Sequence, residues 1–136
     1  LASPPCELRV AGLGSAALGT AQALGWLDRD TLRSELRSSR ALLFPARWQE
    51  PFGIVGVEAL SVGTPVIAMS RGGMGEWTDA GTIVVGDAEE MATAINHLSQ
   101  HPQVALDLGR AGHAMVAERF SPARHRSAVE AVYMAL

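Results

Sequence analysis

Glu50 and Glu58 are the residues of this chain best placed to do chemistry. Seven residues separate them, Pro51-Phe52-Gly53-Ile54-Val55-Gly56-Val57, and the second acid runs on into Ala59-Leu60-Ser61-Val62-Gly63-Thr64-Pro65-Val66-Ile67. Pro51 has no backbone N–H to donate, which puts it before a helix or in its first turn. Gly53 carries the backbone in, and the amides of Gly53, Ile54 and Val55 then point out of the helix start. Unpaired donors and the positive end of the helix dipole coincide there, so such a start attracts anions. Glu50 sits in the loop before it and Glu58 about one and a half turns into it. Amides for an anion with a carboxylate on either side suit a ligand that carries both phosphate and sugar hydroxyls. Taken singly, the acids could be an exposed loop residue and a solvated helix residue. Glu58, however, lies between Val57 and Ala59-Leu60 in an apolar helix, where a carboxylate is costly without partners, and a vicinal diol offers two donors.

Positioning those groups requires a rigid frame, and its elements are legible in order. Residues 7–11 read as a short strand entering Gly12-Leu13-Gly14, and 15–23 as a small, Ala-rich and partly helical stretch. A second strand or extended segment is expected over 23–27. Asp30 or Thr31 caps a helix to about Ser38, with Glu35 near the capping-box position. Its Leu32 and Leu36 share one face while Arg33, Arg37 and Arg40 meet solvent. Ala41-Leu42-Leu43-Phe44, stopped by Pro45, reads as a strand buried on both faces. Residues 65–69 form another such strand, Met74 to Asp79 a short segment, and 82–85 the last strand. Asp87 caps a helix to about Ser99. Helices over 102–118 and 122–135 follow, the last with Ser121 as N-cap and Pro122 at N1. Alternating strands and helices with short connections predict a doubly wound parallel α/β sheet, and residues 1–136 are expected to form one domain.

Composition removes several classes of function. The chain has 136 residues, 48% apolar and 18% charged, which describes a core-former and not a disordered tail. A net charge of −3 makes no electrostatic case for nucleic acid or an anionic membrane surface. All 11 basic residues are Arg, so the chain contains neither a phosphate-loop lysine nor a Schiff-base lysine. Cys6 stands alone, which excludes an internal disulfide and fits a reducing, cytoplasmic setting. No apolar run approaches the roughly 20 residues of a membrane span. The first residue is Leu1 and not Met, from which a processed or truncated piece is expected.

The run Glu50-x7-Glu58 with Pro51-Phe52-Gly53 after the first acid, then Glu58-Ala59-Leu60-x-x-Gly63-x-Pro65-Val66-Ile67, resembles the donor-site signature of retaining GT-B glycosyltransferases of the glycosyltransferase-4, or group 1, type. The likeness extends from Leu8-Arg9-Val10-Ala11-Gly12-Leu13-Gly14 to Arg119-Phe120-Ser121. It covers nearly the whole chain but only the later part of such an enzyme's C-terminal domain. What the resemblance implies is a Rossmann-like domain that binds a nucleotide-diphosphate sugar. In the family Glu58 would bind the ribose hydroxyls, Glu50 would hold a hydroxyl of the donor sugar as the catalytic carboxylate, and the amides of Phe52, Gly53, Ile54 and Val55 would meet sugar and diphosphate. Gly14 would close a turn beside the nucleotide, Leu24 and Gly25 with Trp26 would line the base pocket, and Gly73, in a Gly72-Gly73 loop with Glu76, would face the sugar. Met74-Gly75 departs from the apolar residue and proline usual in that loop. The resemblance implies transfer to an acceptor hydroxyl with retention and no obligatory metal or other cofactor. It also places the acceptor domain and an Arg/Lys phosphate clamp upstream of this chain, so the isolated chain is expected to bind donor and transfer poorly. Arg47 or Arg71 could substitute for the clamp. Any peripheral membrane contact would come through the missing parts.

Other motifs carry rival readings. Gly12-Leu13-Gly14-Ser15-Ala16-Ala17 also satisfies a dinucleotide fingerprint, with Asp28 or Asp30 as the ribose acid, so an NAD-binding module is an alternative. A non-catalytic donor-binding subunit that completes a site with another chain is a second. Asp28-Arg29-Asp30 matches a metal-binding Asp-x-Asp, but a helix start follows at once and capping accounts for it better. His97 and His101 stand one turn apart without a third ligand nearby, as in a frayed helix end. Trp48 and Trp77 flank the two presumed donor loops, as sugar-stacking platforms or as packing.

Overall fold

A computed structural model describes residues 6–12, 14 and 19–135. Five short strands and five helices follow one another along them: β1 (Arg9–Ala11), β2 (Gln22–Gly25), α1 (Arg29–Ser38), β3 (Leu42–Phe44), α2 (Ile54–Ser61), β4 (Val66–Ala68), β5 (Thr82–Val84), α3 (Ala88–Gln100), α4 (Pro102–Arg119) and α5 (Pro122–Met134). A 3-10 turn, Gly72–Glu76, joins β4 to β5. All pairings are parallel, β1 with β2 and β3 with β4 with β5. The expected parallel α/β architecture is therefore present, but its hydrogen bonds form two sheets where one was expected. Among the described residues no ladder joins β2 to β3. Arg9 makes the connection instead: its guanidinium pairs with Glu35 and bonds Ser38 and Ser39, both at 3.2 Å, at the end of α1. Glu35, expected in a capping box, is the partner of a strand residue.

The three-stranded sheet is the spine, because alternate residues of β4 feed two different cores. Val66 and Ala68 pack with Leu36 of α1, Ala59 and Leu60 of α2, and Met115 and Val116 of α4. Ile67, between them, faces the other way into Met91, Ala94 and Leu98 of α3. Helices thus cover both faces, the Rossmann-like layering expected of near-continuous apolar strands. Long α4 contributes to both cores, with Ala105 on the α3 side. By contrast, α5 buries none of its residues.

The turn from α2 into β4 shows how local sequence sets the geometry. Gly63 takes the left-handed conformation, φ 82°, just past the helix end. Its amide bonds Leu60 O at 3.0 Å and the Thr64 amide bonds Ala59 O at 3.0 Å, the paired closure of a Schellman motif. Thr64, 2% exposed, donates its hydroxyl to Leu36 O at 2.7 Å and ties this turn to α1. Pro65 then starts the strand. The helix α4 closes over the turn through Gly109, where a Cβ would lie 2.0 Å from Gly63 O.

Caps follow the sequence with one shift. Asp87 accepts the Glu89 and Glu90 amides at 2.9 Å, and Ser121 accepts that of Arg124, as expected. For α1 the cap is Asp28, two residues earlier than Asp30, and it accepts both the amide and the hydroxyl of Thr31 at 2.9 Å. Those bonds, the backbone one foremost, hold its carboxyl below the usual 3.8. Arg40 donates to Ser99 O at 2.8 Å, a cation at the end of α3 where the dipole is negative. Because the Gly109 contact is backbone against backbone, neither side can swing aside. Gly109→Ala should destabilise the fold by about 1–3 kcal/mol, read as a lower urea midpoint with an unchanged slope; an unaltered midpoint would mean that α4 does not press on the turn.

Candidate functional site at the start of helix α2

Three of the loops that leave the C-terminal ends of strands, where ligands bind in open parallel sheets, carry the sequence candidates: residues 45–53 after β3, 69–76 after β4 with its 3-10 turn, and the glycine turn after β1. The first two meet. Gly73 donates its amide to Glu50 O at 2.8 Å. At Gly72, φ 65°, a Cβ would lie 2.4 Å from the same oxygen, and at Gly73 it would lie 1.9 Å from Pro51 O. Only a pair of glycines lets the two backbones come this close.

Trp77 decides where α2 begins. Its ring is fully buried, edge-on to Phe44 with centroids 6.3 Å apart. Its indole N–H donates to Phe52 O, the carbonyl just before the helix cap. A Cβ on Gly56 would meet the ring at 2.2 Å, and one on Gly53 at 3.1 Å. Gly53 is the N-cap, left-handed at φ 81°, ψ 57°, and contributes no side-chain cap. Of the two readings open for Trp77, it is packing. Met74, where the family pattern has a different residue, is likewise fully buried in the same core.

The helix start is unpaired, and open at Ile54 although Gly53 itself is buried. Among the described residues no hydrogen bond engages the amides of Phe52, Gly53, Ile54 or Val55. Ile54 is 67% exposed. Glu58 stands one turn further along on the Ile54 face. It is half-buried, not buried as an apolar helix suggested, and its carboxylate has no partner among the described residues. The bonds here use its backbone only, Ser61 donating to Glu58 O at 2.7 Å. Glu50 is half-buried too, and its Oε2 accepts the Trp48 indole N–H at 2.8 Å. Phe52 rests edge-on against Phe120 of the α4–α5 corner, centroids 5.7 Å apart. Direct contacts therefore bring Glu50, Phe52, Gly53 and Gly73 together, with Ile54, Val55 and Glu58 on the helix that they start. Arg47 and Arg71, one on each loop, are exposed and form no ion pair among the described residues.

The remaining sequence candidates sit apart from this cluster. Gly12 donates to Gly25 O at 2.7 Å, so the glycine turn and the end of β2 adjoin each other. Gly14 and Gly25 are both left-handed, φ 79° and 67°. Leu24 is half-buried in β2; Trp26 is 77% exposed beyond it and is not core. No hydrogen bond links these residues to the α2 start among the described residues. Leu13 and Ser15 to Ala17 of the fingerprint lie outside the described residues. Neither Asp28 nor Asp30 ends a strand as a ribose acid would: Asp28 caps α1 and Asp30 lies in its first turn. His97 and His101 stack, centroids 4.5 Å apart, at the end of α3. No group of three or more His, Cys, Asp or Glu side chains is arranged to hold a metal among the described residues. No described helix is long and apolar enough to cross a membrane.

The same chain segments carry the similarity to known proteins. The family model for "Glycosyl transferases group 1" matches residues 16–115. A glycogen synthase of Mycobacterium tuberculosis is 30% identical over 116 residues, 82% of this chain and 28% of its own length. A sucrose-phosphate synthase of Thermosynechococcus elongatus superimposes with a TM-score of 0.77 at 28% identity, over 85% of this chain and 30% of that one. HepE of Anabaena, solved in complex with UDP-glucose, superimposes with a TM-score of 0.80 at 20% identity, over 96% of this chain and 41% of that one. At that identity the last comparison speaks to the fold alone. The chain spans well under half the length of each. Because the loops meet backbone to backbone, Gly73→Ala should push them apart and lower Tm by at least about 3 °C; a melting curve that overlays the wild type would show that the Gly73–Glu50 bond does not hold the loops together.

Proposed function

The chain belongs to the glycosyl transferases of group 1, and from that premise we propose that it is the donor-binding part of a retaining GT-B enzyme that takes a nucleotide-diphosphate sugar. The observation that carries this reading is the open start of α2, four unengaged amides between a carboxylate in the preceding loop and another on the helix. In the proposed arrangement the diphosphate sits on the amides of Gly53, Ile54 and Val55, Glu58 takes the ribose hydroxyls, and Glu50 takes a hydroxyl of the sugar. Gly73 lines the sugar end. Gly14, Leu24 and Gly25 form the nucleotide side of the cleft.

The reaction breaks the bond from the anomeric carbon to the diphosphate oxygen and makes one to an acceptor oxygen, whose proton passes to the departing diphosphate. Negative charge grows on the departing diphosphate. Fixed amides at a helix start stabilise that charge with no reorganisation at the moment of reaction, so the proposal needs no obligatory metal. The acceptor side, absent from residues 1–136 in this reading, belongs to the remaining length that relatives possess, either in the same polypeptide or in a partner subunit. Free Cys6 is consistent with a cytoplasmic site of action.

Calorimetry on wild type and Glu58→Ala tests the reading with UDP, GDP, ADP, their sugar conjugates and NAD. A nucleoside diphosphate or its conjugate should bind, with about 1–3 kcal/mol lost on Glu58→Ala. Binding of NAD alone, unaffected by that substitution, would favour a dinucleotide module and end the proposal. In the same titrations Arg47→Ala or Arg71→Ala should weaken the nucleoside diphosphate by about three- to tenfold if either arginine replaces the upstream clamp; wild-type affinity in both variants would discard that role.

A further inference from the structure

We propose that Trp48 is a positioning residue that sets the direction of the Glu50 carboxylate and so governs recognition of the donor's sugar, as distinct from its nucleotide. The inference rests on the reading of the α2 start as the donor site. Glu50 is fixed at two points. Its backbone carbonyl accepts the Gly73 amide at 2.8 Å, and its side-chain Oε2 accepts the Trp48 indole N–H at 2.8 Å. An indole N–H can only donate, so Trp48 occupies one carboxylate oxygen. Oε1 has no partner among the described residues and is left for a ligand hydroxyl.

Packing does not explain Trp48. It is 64% exposed, whereas the other tryptophan of the site, Trp77, is fully buried in the core. Trp48 and Glu50 are two residues apart in the loop after β3, and the bond between their side chains holds both on one side of it. The indole therefore restricts a carboxylate that would otherwise sample several rotamers, and rotamer freedom removed before binding is not lost on binding. The diphosphate amides lie beyond Pro51, on the helix, and do not depend on that bond. Loss of the N–H should thus show in the sugar and not in the nucleotide.

The test compares Trp48→Phe, which keeps an aromatic ring and removes the N–H, with Trp48→Ala. Each is titrated with UDP-glucose and UDP, GDP-mannose and GDP, and ADP-glucose and ADP. The readout is the ratio of affinities for a sugar conjugate and its free diphosphate. Trp48→Phe should lower that ratio by about five- to tenfold, the size of an ordinary net hydrogen bond at a part-exposed site. Free-diphosphate affinity and Tm should stay at wild-type values. In a Glu50→Ala background the Trp48→Phe change should have no further effect, since the two side chains act as one unit. An unchanged ratio in Trp48→Phe overturns the inference, also where Trp48→Ala alone lowers it, since the ring and not the N–H would then matter. An equal loss for conjugate and diphosphate overturns it as well. If wild type binds no nucleotide at all, the donor-site reading itself fails and this inference with it.

Discussion

A buried indole pressed against the two glycines that open a helix controls this molecule. Trp77 must place a large ring in the core and still find an acceptor for its N–H. It does so by lying on the first turn of α2, which is possible only because Gly56 and Gly53 present no side chain to it. The acceptor it finds is Phe52 O, one residue before the helix cap. One side chain thereby sets the depth of α2, the path of the loop before it, and the direction in which the first amides point. The unengaged amides at the start of α2 are a by-product of satisfying a buried tryptophan.

The second constraint is the parallel sheet. Because β3, β4 and β5 all run the same way, their outgoing loops gather at one end, and a site made of loops becomes rigid if those loops brace one another. Here the brace is backbone to backbone, Gly73 on Glu50, with Gly72 and Gly73 allowing an approach that any side chain would prevent. On the other side of α2 the same device recurs, Gly109 of α4 against Gly63. The helix is clamped at both ends by glycine contacts, which suits the role proposed for its N-terminus.

Much of this was legible in advance. Strand and helix order, the caps Asp87 and Ser121 with Pro122, and the glycine entry to α2 all follow from local chemistry that acts within a few residues. The departures from local expectation have one long-range cause and others close by in the chain. Glu35 was drawn from a capping box to Arg9 on β1, and the cap of α1 moved to Asp28, where Thr31 offers both an amide and a hydroxyl. Trp26, which the family resemblance sets beside Leu24 and Gly25, stands exposed just beyond the end of β2 at Gly25. The two tryptophans beside the loops were indistinguishable by type and neighbourhood, and folding sent them to opposite fates.

The sequence by itself determined which residues form each element and that an acid-bracketed, glycine-entered helix lies at the centre, since propensity, capping and period depend on neighbours along the chain. Only the tertiary structure decided that Trp77 is core and Trp48 is not, that Gly73 reaches Glu50, that Glu58 is half-open, and that the strands divide into two sheets. Each of those outcomes depends on residues far apart in the chain meeting at a particular distance. A Cβ that would stand 1.9 Å from Pro51 O leaves no trace in the order of residues around Gly73.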